Sequence, residues 1–336
     1  MIVTEQDIRH LFNRFNSCRV LVVGDVMVDA YLIGKVDRIS PEAPVPIVTL
    51  QERNNLLGGA ANVALNIKSL GAEAILCSVI GNDKQGDELL SLMKNAGLKT
   101  DGIIRSDERI TTTKFRVIGN RMQMLRVDEE MDTDLDTKDS NELINCITQL
   151  IATRKPDVII FQDYNKGVLS AKIIEEISTI AAKAGIPVAV DPKKKNFTTY
   201  KGITLFKPNL KEVSEGLKTE IDPKSIDSLQ NAAQLLHANQ DIDMVMITLS
   251  EHGVFISSRN QTGYTSKIIP AVMRSIADVS GAGDTVISVA ALCLAAQTDP
   301  ELLASLSNIA GGLVCEEVGV VSVDKVRLIT EALVEL

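Results

Sequence analysis

Residues 278–285, Asp-Val-Ser-Gly-Ala-Gly-Asp-Thr, have the types and the spacing needed to bind an anion and act on it. The small residues Gly281, Ala282 and Gly283 allow a tight turn that opens a helix and leaves its first backbone N–H groups without helical partners. These donors and the positive end of the helix dipole together bind anions such as phosphate. Asp284 places a carboxylate in the first helical turn, where it is either a helix cap or a base beside the anion.

Two carboxylates near the N-terminus occupy a second position at which ligands bind. Asp25 and Asp29 follow the β-branched run at 19–24, which is typical of a buried parallel strand. Open α/β sheets bind their ligands outside the carboxyl ends of such strands. The alternative is that both residues are solvated carboxylates of a turn.

A second glycine-rich segment, Leu-Gly-Gly-Ala-Ala-Asn at 57–62, runs into a predicted helix. Gly58 and Gly59 allow a ligand to approach the backbone closely, and Asn62 adds a side chain in the first turn. Glycine pairs are common in loops, so this segment alone identifies no ligand. The string at 81–86 is not a P-loop, because acidic residues follow it where Lys and Ser or Thr are required.

Composition excludes several classes of protein. The chain has 336 residues, 45% of them apolar, and a formal net charge of −9, which argues against a nucleic-acid surface. The N-terminus lacks the apolar core of a signal peptide, and no uncharged apolar stretch is long enough to span a membrane. Five cysteines without C-x-x-C spacing and only three histidines argue against a zinc site. We therefore expect a cytoplasmic protein without nucleic-acid or membrane partners.

The elements that must position these residues alternate between helix and strand. Short apolar runs at 157–161, 186–190, 203–206 and 244–248 are each followed by polar residues, with helical segments between them. This alternation predicts a doubly wound, mostly parallel sheet, with polar clusters along one edge as a ligand cleft requires.

Two segments depart from this alternation, at about 30–50 and 111–128. The first alternates apolar and polar residues before a proline-rich string that blocks a helix, and the second has the pattern of a hairpin around Gly119-Asn120. Together they predict a small accessory sheet that acts as a lid. Since the sequence has neither a linker nor a repeat, residues 1–336 are predicted to form one domain.

The pairing of Gly-Gly-Ala-Ala-Asn at 58–62 with Asp-Val-Ser-Gly-Ala-Gly-Asp at 278–284 resembles the two signatures of the ribokinase-like (PfkB) carbohydrate kinases. Asn209-Leu-Lys-Glu212 fits the N-x-x-E string of that family, and the resemblance covers about residues 19–323. It implies a ribokinase-like α/β fold, with helices on both faces of the sheet and a small β-sheet lid. It also implies an ATP-dependent carbohydrate kinase that uses ATP and Mg²⁺.

Four longer strings resemble the kinase half of the bacterial heptose kinase/adenylyltransferase enzymes. That kinase phosphorylates the anomeric oxygen of D-glycero-β-D-manno-heptose 7-phosphate, on the route to ADP-heptose for lipopolysaccharide. Because the chain stops at residue 336, it is expected to be a standalone kinase or a truncated form of the bifunctional enzyme. The four strings are Val-Gly-Asp-Val-Met-Val-Asp at 23–29, Arg-Ile-Ser-Pro-Glu-Ala-Pro-Val-Pro at 38–46, Gly-Gly-Ala-Ala-Asn-Val-Ala at 58–64 and Asp-Tyr-Asn-Lys-Gly at 163–167.

The resemblance implies a catalytic role for the segment at 278–285. Backbone N–H groups of Gly281, Ala282 and Gly283 would hold the transferring phosphoryl group, and Asp284 would accept the proton of the attacking hydroxyl. An aspartate of ordinary pKa, about 3.9, suffices as the base because a loose phosphoryl-transfer transition state needs little activation of the nucleophile.

Nucleotide contacts are implied at the other strand ends. Asn209 and Glu212 lie one helical turn apart and would organise Mg²⁺ through its waters, the alternative being an ordinary cap and a surface glutamate. Lys193 would contact a phosphate, unless the lysines at 193–195 are only a solvated basic run. Three residues would border the base and ribose, or be structural: Thr248, Gly253 and Asn308.

On the acceptor side, Asp29 and Asn62 would bind sugar hydroxyls, with Gly58 and Gly59 permitting close approach. A 7-phosphate needs cations in addition to those that bind ATP, and Arg suits bidentate phosphate recognition. The candidates lie in or near the lid, where the alternative for each is a solvated surface charge. They are Arg38, Lys114, Arg116, Arg126 and Lys166.

The lid is also predicted to mediate a homodimer through an exposed apolar face, with Ile33, Val36, Ile39, Phe115 and Val117. Two alternative functions remain. The chain could be a PfkB kinase for another sugar, such as ribose, a fructose phosphate or a keto-deoxy sugar acid. It could also be a sugar-phosphate sensor without catalysis, although a sensor does not need Asp284.

Overall fold

The computed structural model describes residues 4–261 and 263–336. Within this part of the chain, strands and helices alternate over most of the length. The strands are β1 (Arg19–Gly24), β2 (Val26–Ile39), β3 (Pro46–Gly59), β4 (Glu73–Gly81), β5 (Ile103–Ser106), β6 (Thr113–Gly119), β7 (Met122–Glu129), β8 (Val158–Gln162), β9 (Val188–Asp191), β10 (Leu205–Phe206), β11 (Met244–Thr248), β12 (Val254–Asn260) and β13 (Gly263–Ile269).

The helices begin at side-chain caps in most cases, with Thr4, Asp83, Asp136 and Ser170 among the capping residues. Their bounds are α1 (Glu5–Phe15), α2 (Ala60–Ser69), α3 (Lys84–Asn95), α4 (Thr137–Arg154), α5 (Ala171–Ala184), α6 (Leu210–Leu217), α7 (Ile226–Gln240), α8 (Ala282–Ala295), α9 (Pro300–Val314) and α10 (Lys325–Glu335).

The larger sheet contains nine of the described strands in the order β13-β12-β11-β10-β9-β8-β1-β4-β5. From β11 to β5 the neighbours pair in parallel, whereas the hairpin β12–β13 pairs antiparallel. The central strands are apolar and buried, since helices cover both faces. The order along the sheet reverses between β1 and β8, and such a reversal opens a crevice at the carboxyl ends of the strands.

Two hydrophobic clusters, one on each face of this sheet, form the core. The first contains the apolar sides of α1, α2, α8, α9 and α10, with Phe12, Ile67 and Leu306 among its buried members. The second contains α4, α5 and α7, with Ile147 and Ile177. Helices on both faces of a mostly parallel sheet confirm the predicted doubly wound α/β fold.

A four-stranded sheet of order β3-β2-β6-β7 stands beside the larger one, as the segments at 30–50 and 111–128 predicted. β2 pairs antiparallel with β3 and parallel with β6, and β6 forms the predicted hairpin with β7. β2 and β3 are longer than expected, at 14 residues each, because the first five residues of β2 and the last three of β3 are buried and continue into the core. Its action as a lid, and the single domain over 1–336, stay predictions.

No helix among residues 4–261 and 263–336 is long and apolar enough to cross a bilayer. The cytoplasmic location stays a prediction.

Candidate active site

The segment at 278–285 turns into α8 as the sequence predicted. Gly281 is the N-cap residue and lies in the left-handed region, with φ at 80°, where a residue with a side chain would be strained. Asp278 stabilises the turn, because its carboxylate accepts hydrogen bonds from the backbone N–H groups of Ser280, at 2.9 Å, and Gly319, at 3.0 Å. The Ala282 N–H donates to the carbonyl of Val279 at 3.3 Å. Ala282 is therefore already engaged in the turn, which places more of the predicted anion-binding role on its glycine neighbours.

Asp284 is buried in the first turn of α8, with only 4% of the residue exposed. Its Oδ2 accepts a hydrogen bond from Asn62 Nδ2 at 2.8 Å, and its Oδ1 accepts from the Tyr164 hydroxyl at 2.6 Å and Gln162 Nε2 at 3.1 Å. Burial raises the pKa of Asp284 to about 6, although the hydrogen bonds from Tyr164 and Asn62 act in the opposite direction. The carboxylate therefore points at other elements rather than capping its own helix.

The glycine-rich segment at 57–62 ends β3 and begins α2, so it faces α8 at the same crevice. Gly59 has a φ of 61°, and a Cβ on Gly58 would collide with the carboxylate of Asp29. Asn62 is buried one turn later, where its amide reaches Asp284. Two segments that are more than 200 residues apart in sequence therefore meet at one carboxylate.

Asp29 lies on β2 with 4% of the residue exposed, and it forms an ion pair with Arg116 of β6. The Arg116 guanidinium also lies 5.3 Å from the centre of the Tyr31 ring. Asp29 and Arg116, predicted separately as a hydroxyl contact and a phosphate contact, are therefore direct neighbours.

Lys207 and Asp191 form a buried ion pair that no motif in the sequence indicated. Lys207 Nζ lies 3.1 Å from Asp191 Oδ2, and both side chains are almost fully buried. A Cβ built on Gly283 would lie 3.8 Å from both atoms, so the pair borders the anion-binding turn. The sequence signal that could have identified the pair is the polar residue at the carboxyl end of each buried strand, Asp191 at the end of β9 and Lys207 directly after β10.

Asp25 is another candidate, for which the sequence did not decide between a ligand contact and a solvated carboxylate of a turn. It is buried, and its carboxylate accepts hydrogen bonds from the backbone N–H groups of Tyr164, Lys166 and Val168, at 2.8, 3.1 and 3.0 Å. Burial, with the charge of Asp163, raises the pKa of Asp25 to about 6. Asp25 is therefore not a solvated turn carboxylate, and it holds the loop that delivers Tyr164 to Asp284.

The predicted metal residues form the cap of α6. Asn209 Oδ1 accepts from the Glu212 N–H at 2.9 Å, and Glu212 Oε2 accepts from the Asn209 N–H at 2.8 Å, which is a capping box. Glu212 also pairs with Lys193. Burial alone would lower the pKa of Lys193, but the carboxylates of Asp191 and Glu212 raise it above its ordinary value.

The remaining nucleotide candidates lie close to these elements. Thr248 forms an isolated parallel bridge with Asn209 at the end of β11. Gly253 has a φ of 92°, and a Cβ on it would collide with the backbone at 269–271. Asn308 of α9 donates to the carbonyl of Pro270 at 2.8 Å. Gly253 and Asn308 therefore border the same stretch of chain.

Three of the predicted lid cations share carboxylate partners, whereas Arg38 lies apart from them. Lys114 Nζ lies 3.0 Å from Asp128 Oδ2 and 3.1 Å from Glu130 Oε2, and Lys166 Nζ lies 2.7 Å from Glu130 Oε1. Arg126 pairs with Asp128 at 2.9 Å. Arg38 is not part of this group, because it lies nine residues beyond Asp29 on β2, about 30 Å along the strand.

A comparison with protein families matches residues 18–326 to the model described as pfkB family carbohydrate kinase. The chain belongs to this family. The predicted enzyme class, an ATP-dependent carbohydrate kinase, is therefore confirmed, and kinases of the pfkB family use ATP with Mg²⁺, as predicted.

Among curated proteins, the chain is 41% identical over 316 residues to the "Bifunctional protein HldE" of Desulfatibacillum aliphaticivorans, covering 94% of this chain and 63% of the relative. It is 40% identical over 300 residues to the protein of the same name from Aliarcobacter butzleri, covering 89% of this chain and 61% of that relative. The chain therefore spans less than two thirds of the length of these relatives.

Among solved structures, phosphofructokinase-2 from Escherichia coli, crystallised in complex with potassium, superposes with a TM-score of 0.74. The match covers 94% of this chain and 99% of that one at 18% identity. At that identity the likeness establishes the fold alone, and it confirms the ribokinase-like architecture of this pfkB kinase.

The donor set around Asn209 and Glu212 fits Mg²⁺ held through water. Mg²⁺ keeps several waters and is bound through one or two carboxylates together with substrate phosphates. Glu212 supplies a carboxylate at this position, and both its oxygens contact protein donors, which leaves a role through water. Among the described residues there is no group of three or more His, Cys, Asp or Glu arranged as a metal site.

Proposed function

We propose that this pfkB kinase transfers the γ-phosphoryl group of ATP to O1 of D-glycero-β-D-manno-heptose 7-phosphate. The observation that carries the kinase assignment is the 2.8 Å hydrogen bond between Asn62 and Asp284. It joins the glycine-rich segment suited to a sugar with the glycine-rich turn suited to a phosphate. A sugar hydroxyl held at Asn62 would therefore lie beside both the base and the phosphoryl group.

In this mechanism the chain positions the reactants and offsets charge. Backbone N–H groups at Gly281 and Gly283, with the ammonium group of Lys207, would stabilise the negative charge of the transferring phosphoryl group. The acceptor oxygen forms the new bond to phosphorus, the bond from phosphorus to the bridging oxygen breaks, and ADP leaves with that electron pair. Asp284 receives the hydroxyl proton. Mg²⁺, when bound with ATP, supplies positive charge against the phosphate oxygens.

The heptose 7-phosphate assignment is supported by the cations in and beside the small sheet and by the relatives. Lys114, Lys166, Arg116 and Arg126 are interleaved with three carboxylates, those of Asp29, Asp128 and Glu130, so the group has an excess of one positive charge. A phosphate could exchange with these carboxylates for the same cations. The long strings shared with heptose kinases, and the 41% and 40% identity to proteins named HldE, favour heptose over other sugars.

A panel of sugar phosphates tests this assignment. We expect heptose 7-phosphate to stimulate ADP release at least tenfold more, as kcat/KM, than ribose or fructose 6-phosphate, because its 7-phosphate would bind the cations in and beside the small sheet while O1 reaches Asp284. ADP release coupled to an optical assay measures the ranking. The reverse ranking would assign the chain to another sugar, and no turnover with any sugar, despite measurable nucleotide binding, would favour the sensor.

The small sheet also exposes apolar side chains that would be covered in a homodimer. Ile39 is 61% exposed, Met122 68% and Leu125 57%. Of the five residues predicted for this face, Ile39 is exposed, whereas Ile33, Val36, Phe115 and Val117 are partly buried, and Phe115 packs against the core of the large sheet. Most of the exposed apolar area lies instead on β7 and at the outer ends of β2 and β3. We infer that a second copy of this chain covers it.

Introduction of a charge on β7 tests the dimer. We expect the wild-type protein to be a dimer at micromolar concentration by light scattering, and Leu125→Arg to be a monomer, since an unpaired charge in an apolar interface is strongly unfavourable. Val334→Arg, at a position 77% exposed on α10, is the matched control and should remain dimeric. A wild-type monomer would contradict the inference.

A further inference from the structure

We propose that Tyr164 is a positioning residue for the base: with Gln162 it occupies Oδ1 of Asp284, so that Oδ2 takes the proton of the acceptor hydroxyl. The proposal rests on the function proposed above, because it specifies which oxygen of the base reacts and what fixes it. Neither Tyr164 nor Gln162 was among the residues to which the family resemblance gave a role.

The hydrogen bonds to the two oxygens of Asp284 are unequal. Oδ1 accepts from the Tyr164 hydroxyl at 2.6 Å and from Gln162 Nε2 at 3.1 Å. A carboxylate oxygen has two lone pairs in its plane, so two donors fill Oδ1. Within the described part of the chain, Oδ2 accepts one hydrogen bond, from Asn62 at 2.8 Å. Oδ2 therefore keeps one acceptor position, on the side of the predicted sugar contact.

Tyr164 is held in place at both ends. Its backbone N–H donates to Asp25 Oδ2 at 2.8 Å, and Asp25 also accepts hydrogen bonds from the backbone N–H groups of Lys166 and Val168 in the same loop. Its ring lies beside the ammonium group of Lys193, which is 5.6 Å from the ring centre. Because the loop and the ring are both anchored, the phenol meets Asp284 in a preset geometry, which is what a positioning residue must provide.

The direction of each hydrogen bond is fixed by its surroundings. Gln162 Nε2 lies within 3.2 Å of Asp191 Oδ2 as well as near Asp284, and only the amide N–H₂ can satisfy two carboxylates. Burial, with Asp284 and Asp191 nearby, raises the pKa of the Tyr164 phenol well above its ordinary value. The phenol therefore stays protonated and donates to the anionic base.

A donor that favours the anionic form of Asp284 lowers its proton affinity. The charged groups that face Asp284 from the neighbouring elements are Asp191, Lys193 and Lys207, on or after β9 and β10. Asp191 raises the pKa of Asp284 and Lys207 lowers it, whereas Tyr164 lowers it through the hydrogen bond. During transfer the proton moves from the acceptor hydroxyl to Oδ2, and the Tyr164 proton stays on the phenol.

The test is Tyr164→Phe, which removes one oxygen and keeps the ring. Activity is lost below the pKa of the base, so loss of this donor should move the acid limb of kcat/KM upward by about one pH unit. Above the limb, kcat should stay within about tenfold of wild type. Incorporation of 3-fluorotyrosine at 164, whose phenol is more acidic and a stronger donor, should move the limb downward.

Tyr200→Phe is the matched control. Tyr200 is fully buried and its hydroxyl donates to Asp163 at 2.8 Å, so the change removes the same kind of hydrogen bond away from Asp284. It should lower thermal stability and leave the acid limb in place. An unmoved limb in Tyr164→Phe, or an equal shift in Tyr200→Phe, would overturn the proposal.

A measurement without substrate separates this proposal from the proposed function. The carboxyl band of Asp284, assigned by its loss in Asp284→Asn, can be titrated by infrared spectroscopy in the ligand-free protein. We expect its midpoint to rise by about one pH unit in Tyr164→Phe. If the wild type phosphorylates no sugar but the midpoint moves in Tyr164→Phe, the proposed function fails, whereas the effect of Tyr164 on the pKa of Asp284 stands. If turnover is present and the midpoint does not move, the positioning role fails.

Discussion

Asp284→Asn should lower kcat by about 10²–10⁴-fold, the usual contribution of a general base. The asparagine keeps the size of the side chain but cannot accept the proton of the acceptor hydroxyl. Nucleotide binding should be largely kept, because the turn at Gly281 and Gly283 and the ion pair of Lys207 are unchanged. Steady-state turnover and calorimetric titration with a nucleotide measure the two quantities separately. Unchanged turnover would remove Asp284 from the mechanism.

The same variant also tests whether burial destabilises the ionised form of Asp284, through the pH dependence of the free energy of unfolding. The pKa of Asp284 rises from an ordinary 3.8 to about 6 in the folded protein. The folded state therefore holds more protons than the unfolded state between these values, and its stability falls as the pH rises through about 6. One pKa unit corresponds to about 1.4 kcal/mol, so the full difference is about 3 kcal/mol.

Asp284→Asn lacks this titration, so its free energy of unfolding relative to wild type should rise between pH 4.5 and pH 7.5. Asp25 also has a raised pKa, but it is present in both proteins and its contribution cancels. Urea denaturation at the two pH values measures the difference. A relative stability that stays constant or falls would show that the carboxylate is not destabilised by burial.

The parts of the site that could be predicted are those whose residues lie close together along the chain. The turn at 278–285 and the segment at 57–62 each carry their glycines and their polar residue within eight positions. Local backbone needs, such as the positive φ of Gly59 and Gly281, select these residues, and they leave a pattern that is visible without a structure. The doubly wound sheet was also predictable, because each buried strand is a contiguous apolar run in the sequence.

The parts that could not be predicted depend on contacts between distant segments. Asp284 receives its hydrogen bonds from Asn62 of α2, from Gln162 at the end of β8 and from Tyr164 in the loop that follows β8. Only the strand order, which reverses between β1 and β8, brings these elements to one crevice. Polar residues at strand ends indicated the edge of the sheet, but not which of them would face the base.

The partners of the charged side chains could not be predicted from the sequence either. Glu212 looked like a metal residue and Lys193 like a phosphate contact, yet the two form an ion pair with each other. Similarly, Lys114 and Lys166 share Glu130. Such pairs are set by side-chain direction and by what else is buried nearby, and neither is encoded in spacing along the chain. The partial burial of Phe115 was hidden too, because it depends on packing against the core and not on the pattern along β6.

Lys207→Met should lower both stability and catalysis, because the ammonium group neutralises Asp191 and borders the phosphate turn. Nζ is buried and lies 3.1 Å from Asp191 Oδ2. Removal of one partner of a buried pair leaves an uncompensated charge, and we expect the free energy of unfolding to fall by about 3–5 kcal/mol. Loss of a charge that stabilises the transferring phosphoryl group should lower kcat by about 10²–10³-fold. Denaturation and turnover measure the two effects.

Asp191→Asn combined with Lys207→Met separates the two effects. The double variant has no unpaired charge at this position, so most of the lost stability should return, whereas the loss in kcat should persist because the ammonium group of Lys207 no longer borders the turn at Gly283. Lys207 also lowers the pKa of Asp284, so turnover must be compared well above the acid limb, where the base is ionised in every variant. A double variant that regains both stability and turnover would make Lys207 a structural partner of Asp191. A loss that persists at high pH assigns Lys207 to the transferring phosphoryl group, since neither folding nor the protonation of Asp284 can then account for it.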